Sequence, residues 1–345
     1  MAEKVVIYRL GTLGDTVVAL PCFHLIARTF PDAARLILTN EVPSSAIAQP
    51  LSILSGSGLV QDSIAYPIGL RSPYRLLNLA RTLRSFGADT LIYLTESRGI
   101  ARTLRDVAFF RFAGFTRIIG APLSRDLAFN RVDPVTGVAE QEPLRLGRTL
   151  HELGAIDFDD PNAWSLNLTD LEHRAAAPFV QAAGGAPIIA INHGGKVVKN
   201  DWGEERWRGF LSLLGREFGN HVLAILGSTA DRDRAERLAQ DWPGSRLNLC
   251  GRLAPRESAA FLKSVSLFIG HDSGPLHLAS ACQIPTVGLF GNNNPAAIWH
   301  PYGTHNSVVR AEAGLHAIAP DDVFHAVCAQ FNKNDGLVRR AKRAD

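Results

Sequence analysis

Three short runs in this sequence combine residue types that could do chemistry. The first is Gly11-Thr12-Leu13-Gly14-Asp15, which follows an apolar run and precedes a helical pattern. That is the setting of a phosphate-binding turn. The run is neither GxGxxG nor a Walker loop, because no Gly-Lys-Ser/Thr follows. A carboxylate at a helix N-terminus would itself occupy the anion position. Asp15 is therefore either a helix N-cap or a general base for a substrate hydroxyl. The second run is Asn192-His193-Gly194-Gly195-Lys196-Val197-Val198-Lys199-Asn200-Asp201-Trp202, which holds two of the chain's six lysines. Its glycines allow close backbone approach to a ligand, and its ammonium groups could neutralise phosphate oxygens. A plain strand-to-helix loop with solvated lysines fits the same residues.

The third run is Gly270-His271-Asp272-Ser273-Gly274-Pro275-Leu276-His277. It links an apolar strand to a helix, so the amides near Ser273 and Gly274 would point toward a diphosphate. Asp272 could instead cap that helix. The likeness of this run to a serine-protease Gly-Asp-Ser-Gly-Gly-Pro lacks one glycine and sits in alternating strand-helix sequence, so that class is excluded. A metal site from His271, Asp272 and His277 would have no second ligand group. The Asp-x-Asp triplet at Asp157-Phe158-Asp159 falls outside any strand-helix unit and reads as a solvated loop.

Repeated strand-loop-helix units must position these runs. Short apolar strands are expected at 5–10, 36–38, 90–94 and 117–120, with helices at 15–31 (divided by Pro21), 72–86 and 100–113. The signal weakens near 155–187, where Asp157–Pro161 and Ala182–Pro187 read as a linker region with one short element between them, and then restarts. Strands follow at 188–191, 222–226, 246–249, 265–269 and 286–290, with helices at 204–218, 230–241 and 276–281. Two such arrays predict two doubly wound α/β domains, with ligands at the carboxyl ends of the strands and in an interdomain cleft. The expected division is an N-terminal domain 1–165, a linker region 166–186, a C-terminal domain 187–332 and a basic tail 333–345, frayed at the terminus.

Composition bounds the function. The 345 residues are 46% hydrophobic and 20% charged, as in globular chains. The 36 basic against 33 acidic residues leave only +3, which argues against nucleic acid as a partner. The four separated cysteines form no CxxC pair and no disulfide framework, which points to a reducing, cytoplasmic compartment. The first residues read as a strand and not a signal peptide. No stretch reaches the roughly 18 apolar residues of a membrane span. From Arg98 to Arg131, seven arginines face two aspartates, a surplus suited to an anionic partner or to a solvated helix face.

In combination the three runs resemble glycosyltransferase family 9, the heptosyltransferase-like enzymes of lipopolysaccharide synthesis. The likeness is carried by Arg9 to Asp15 with Ala19-Leu20-Pro21 and Phe30-Pro31-Asp32-Ala33, and by Gly194 to Trp207. It continues through Asp272 to Ala279, Pro285, Leu289-Phe290-Gly291 and Trp299-x-Pro-Tyr-Gly303. The resemblance implies a GT-B fold: two Rossmann-like domains facing a cleft, with acceptor on the first and nucleotide-sugar on the second. It implies inverting, metal-independent transfer with no cofactor. Asp15 would be the catalytic base, and Asp272, Ser273, Gly274 and His277 the donor contacts. The central basic role falls on Lys196 or Lys199. Gly11, Thr12, Gly14, Arg98 and Arg102 would lie on the acceptor side. The implied donor is ADP-heptose, and the implied acceptor an anionic glycolipid or oligosaccharide. Peripheral contact with the cytoplasmic face of the inner membrane would fit such an acceptor. A nucleotide-sugar epimerase of the same architecture and a non-catalytic nucleotide- or sugar-binding module are the competing expectations.

Overall fold

A computed structural model of the chain describes residues 3–41, 49–67, 69, 72–195, 201–292 and 297–341, with side chains to 333. The chain divides into two compact units, Met1–Thr169 and Asp170–Asp345.

The first unit holds one five-stranded parallel sheet. Its strands are β1 (Lys4–Tyr8), β2 (Ala34–Asn40), β3 (Asp62–Tyr66), β4 (Thr90–Tyr93) and β5 (Arg117–Ile119). They lie in the order β3-β2-β1-β4-β5. The short apolar runs expected from sequence are the buried central strands, as two-sided parallel sheets require. Helix α1 (Leu13–Val18) and helix α2 (Leu20–Thr29) replace one long helix, and Pro21 sits in the first turn of α2, where its missing amide costs nothing. Helices α3 (Leu51–Leu54), α4 (Pro73–Phe86), α5 (Ile100–Phe112), α6 (Arg125–Ala128) and α7 (Glu142–Thr149) complete the unit. Helix α4 starts on Pro73 and ends on Gly87, whose φ of 78° suits the left-handed C-terminal position.

The second unit opens with α8 (Asp170–Gln181) and carries six parallel strands. These are β6 (Ile188–Asn192), β7 (Val222–Ile225), β8 (Arg246–Asn248), β9 (Leu267–His271), β10 (Thr286–Phe290) and β11 (Asn306–Arg310). Their order, β11-β10-β9-β6-β7-β8, is that of a dinucleotide-type sheet. The covering helices are α9 (Glu204–Phe218), α10 (Arg232–Ala239), α11 (Pro255–Leu262), α12 (Gly274–Ala281) and α13 (Pro320–Ala341). As its periodicity predicts, α9 buries Trp207, Phe210, Leu211 and Leu214.

Several features add to or differ from the sequence expectation. Strands β3 and β11 were not legible, because neither is a buried apolar run: β3 mixes exposed and half-buried residues, and β11 is half-buried throughout. Within the expected linker, 170–181 form α8, which packs on α11 and pairs Glu172 with Arg256 at 2.5 Å. The stretch expected as a frayed tail continues α13 to Ala341. Asp157 and Asp159 stand exposed in a loop, as expected, and Asp160 beside them caps a short 3-10 turn through the Asn162 amide at 2.9 Å.

Candidate active site

In each sheet the chain reverses its winding beside the central strands, at β1/β4 and at β6/β9. Ligands of open α/β sheets bind outside the carboxyl ends at such points.

At the end of β1, Thr12 is the helix cap and Asp15 stands at the third helical position, which corrects the N-cap expectation for Asp15. The Thr12 amide donates to Asp15 Oδ2 at 2.6 Å, and the Thr12 hydroxyl donates to the same oxygen at 3.0 Å. Among the described residues, the carboxylate's hydrogen bonds thus fall on one oxygen, leaving the other for a ligand. Gly11, with φ 123°, donates its amide to Asn40 Oδ1 at 2.7 Å. A Cβ on Gly11 would lie 2.4 Å from Asp15 Cγ, so only glycine lets the carboxylate fold back here. Gly14 is buried in the first turn of α1.

Beneath this turn lies a charged cluster that the sequence did not reveal. Arg9, fully buried, donates to the Leu94 carbonyl at 3.1 Å and to the Asp15 carbonyl, so one guanidinium ties the Asp15 turn to the end of β4. Burial pulls the Arg9 pKa down, against the opposing pull of Asp15 and Glu142. Arg145, also fully buried, grips Glu142 at 2.6 and 2.8 Å and donates to the Thr95 carbonyl at 3.0 Å. The next residue, Glu96, still reaches solvent. Partial desolvation, then the carboxylates of Glu142 and Asp15, raise its pKa. Glu96 is thus a second acid in the electrostatic field of Asp15. The only signal for it in sequence is a carboxylate just past an apolar strand.

The two arginines expected on the acceptor side differ. Arg98 donates to Tyr8 Oη at 3.0 Å and Asp106 Oδ2 at 2.5 Å, in a network with Tyr93 and Tyr66. Its guanidinium is engaged in holding the sheet to α5. Arg102 stands exposed on α5.

In the second unit, register pairs Asn192 with Gly270, which places His193, just past β6, beside His271, the last residue of β9. Both rings are fully buried, and their nitrogens have no hydrogen-bond partner among the described residues. His271 packs against Trp207, with ring centroids 5.4 Å apart. A Cβ on Gly194 would come within 2.7 Å of Asp231 Oδ1. Asp231 accepts from the Ser228 amide at 2.8 Å and hydroxyl at 2.7 Å, so it closes the β7 turn. Burial pushes Asp201 upward, but Arg234, at 2.5 and 2.9 Å, and the Gly203 amide outweigh it and hold Asp201 below the usual carboxylate range. Trp202 is buried and donates to the Ile318 carbonyl at 3.0 Å. Lys196 and Lys199 lie outside the described residues.

At the end of β9, Ser273 is the cap of α12 and not Asp272, a second correction. Its hydroxyl donates back to the His271 carbonyl at 3.1 Å. Asp272 instead approaches His277, Oδ1 to Nε2, at 4.0 Å. The first turn of α12 therefore brings Asp272, Ser273, Gly274 and His277 to one place, with the Gly274 amide at the helix start, while Pro275 carries no N–H and the Leu276 amide donates to the Ser273 carbonyl at 3.1 Å. Among the described residues, no group of three or more His, Cys, Asp or Glu is placed to hold a metal ion.

The buried histidines predict an acid limb of stability. Burial pulls the His271 pKa down to about 4. Between pH 6.5 and 4 the unfolded chain then binds a proton that the folded chain does not, so stability falls as pH falls through that window. For His271 alone the loss is on the order of 3 kcal/mol. His271→Phe should flatten it, read as a weaker pH dependence of urea midpoints. An unchanged acid limb would refute the assignment.

Two parallel αβ sheets, each with a polar turn at its reversal point, define the class: a two-domain α/β protein of GT-B fold. A family model for glycosyltransferase family 9 (heptosyltransferase) matches residues 77–319. The chain belongs to that family and is a glycosyltransferase. It is 28% identical over 317 residues to lipopolysaccharide heptosyltransferase 1 of Pseudomonas aeruginosa, covering 85% of this chain and 79% of that protein. A family 9 glycosyltransferase from Veillonella parvula superposes with a TM-score of 0.72 at 19% identity, over 96% and 98% of the two chains. The Escherichia coli heptosyltransferase WaaC with ADP superposes at 0.65 and 18%, over 95% and 100%. No helix among the described residues is long and apolar enough to cross a membrane.

Proposed function

We propose that this chain transfers heptose from ADP-heptose to an anionic lipopolysaccharide-core acceptor, inverting the anomeric centre, with Asp15 as general base. The observation that supports it most is the paired placement: the Asp15 turn at the β1/β4 reversal, and the Asp272-to-His277 turn at the β6/β9 reversal, in a family 9 chain. The relatives' names supply the substrates: heptosyltransferases acting on lipopolysaccharide, one of them solved with ADP.

The acceptor hydroxyl gives its proton to Asp15 as its oxygen bonds to the anomeric carbon. The bond from that carbon to the diphosphate breaks, and ADP leaves. The Gly274 amide at the start of α12 and a lysine, Lys196 or Lys199, neutralise the departing charge, in the place of a metal ion. Asp272, Ser273, Gly274 and His277 hold the donor. Gly11, Thr12 and Gly14 shape the acceptor side, and exposed Arg102 suits an anionic acceptor better than Arg98, which is committed to Asp106.

Calorimetry against ADP, UDP, GDP and CMP, with and without EDTA, tests the donor. ADP alone should bind, unaffected by EDTA, and ADP-heptose with heptose-free core should give a product one heptose heavier. Preference for another nucleotide, or loss of binding with EDTA, would overturn the donor assignment or the metal-free mechanism.

A further inference from the structure

Glu96 is an acid that the transfer proposed above does not use. It follows buried Leu94 and Thr95 at the carboxyl end of β4, and its own side chain is exposed. Among the described residues its carboxyl group has no hydrogen-bond or ion-pair partner. Its backbone, by contrast, is fixed at three successive carbonyls. Arg9 donates to the Leu94 carbonyl at 3.1 Å and Arg145 to the Thr95 carbonyl at 3.0 Å. The Thr95 hydroxyl donates to the Glu96 carbonyl at 2.9 Å. Both arginines are fully buried, and Thr95 is nearly so. An unengaged polar side chain on backbone held in this way is what a site residue requires.

The same guanidinium sets Glu96 beside Asp15. Arg9 bonds both the Leu94 carbonyl and the Asp15 carbonyl, and parallel pairing puts Tyr8 opposite Tyr93. Partial burial, then Glu142 and Asp15, raise the Glu96 pKa against the pull of Arg9 and Arg145, so the two acids sense one another. The neighbouring cations are spent elsewhere. Arg9 serves the two carbonyls, Arg145 serves Glu142, Thr95 and Leu127, and Arg98 serves Tyr8 and Asp106. Asp15 for its part keeps one oxygen outside its turn's hydrogen bonds.

The chemistry of this pair selects its ligand. A carboxylate accepts hydrogen bonds and offers none, so it binds hydroxyl groups. Two carboxylates side by side repel a phosphate or a third carboxylate. A sugar ring carries hydroxyls on neighbouring carbons and can serve both acids at once.

We propose that Glu96 is a specificity-determining residue of the acceptor site, accepting a hydrogen bond from the hydroxyl beside the one that Asp15 deprotonates. The glycosylated ring then presents a neutral diol at the point of attack, and the anionic groups of the acceptor lie away from the two acids. Glu96 orients the ring and takes no proton. The assignment rests on the transfer reaction proposed above, with Asp15 as base.

The test is calorimetry and steady-state kinetics with ADP-heptose and heptose-free core, for the parent, Glu96→Gln and Glu96→Ala. Glu96→Ala should weaken core binding and raise the acceptor KM by about 10–100-fold, the strength of a hydrogen bond to a charged group. Its kcat should change far less, and its ADP affinity and melting curve should match the parent's. Glu96→Gln keeps an accepting oxygen and should recover part of the loss. A core analogue deoxygenated beside the attacked hydroxyl should bind the parent and Glu96→Ala equally. Transfer by Glu96→Ala at the parent's acceptor KM would overturn this assignment alone. So would a loss confined to kcat and equally deep in both variants, since Glu96 would then be moving the proton. A parent that binds ADP but neither binds nor glycosylates the core would overturn the proposed reaction and this assignment with it.

Discussion

Asp15→Asn should reduce sugar transfer by about 10²–10⁴-fold while the protein melts close to the parent, because general-base catalysis is worth that much. Asparagine keeps a side-chain oxygen able to accept from the Thr12 amide, so the turn that holds residue 15 survives. What it loses is the capacity to take the acceptor's proton. Asp15→Ala should lose activity and also about 1 kcal/mol of stability, because the helix start is left without that acceptor. Nucleotide binding should persist in both variants, since the residues proposed to hold the donor stand on the second unit. Gly11→Ala approaches the same site from the other side: it leaves the carboxylate in place chemically but drives a methyl into it at 2.4 Å. It should mimic the loss of activity. Product formation, calorimetry with ADP and thermal melts separate these effects. Parent-like turnover by Asp15→Asn would remove Asp15 from the role of base.

Arg145→Met should destabilise the first unit by about 3–5 kcal/mol, the cost of leaving a buried carboxylate without its partner. Glu142 and Arg145 are both essentially inaccessible to water, and their bonds at 2.6 and 2.8 Å are bidentate. The guanidinium also serves the carbonyls of Thr95 and Leu127, which would lose their donor. Glu142→Leu/Arg145→Met should recover part of the loss, because removing both charges abolishes the unpaired one. Urea denaturation of the two variants and the parent makes the comparison. An Arg145→Met chain as stable as the parent would show that Glu142 is rehydrated or protonated without cost. The pair matters beyond stability. With Arg9 it forms the floor under Asp15 and Glu96, so the variant should also slow transfer if the proposed base is misplaced with its turn.

The alternation of strand and helix was legible because each central strand is a run of consecutive apolar residues, such as Val5-Val6-Ile7 or Ile188-Ile189-Ala190-Ile191, buried on both faces. Strands β3 and β11 were not, because neither is a buried apolar run: Asp62–Tyr66 mixes exposed and half-buried positions, and Asn306–Arg310 begins and ends on polar residues. Helix α7 was missed although Glu142-Pro143-Leu144-Arg145 carries its own start signal, a proline in the first turn and an i, i+3 ion pair.

Two αβ units, the glycine-rich turns that follow their strands, and the residue types those turns present are all legible in the chain. These are local properties, set by apolar runs, glycine and proline, within a few residues of one another. Only the tertiary structure decided which charges are free and which are spent. Arg98 and Arg102 lie four residues apart in one arginine-rich stretch, yet one is locked onto Asp106 and two tyrosines while the other faces water. Asp15 and Glu96 are 81 positions apart, and parallel pairing of β1 with β4 makes them electrostatic neighbours. His193 and His271 become adjacent through the pairing of β6 with β9. The reason is physical: a side chain's charge state and its partners depend on what the sheet register and burial bring within a few ångströms, and spacing along the chain carries no record of that.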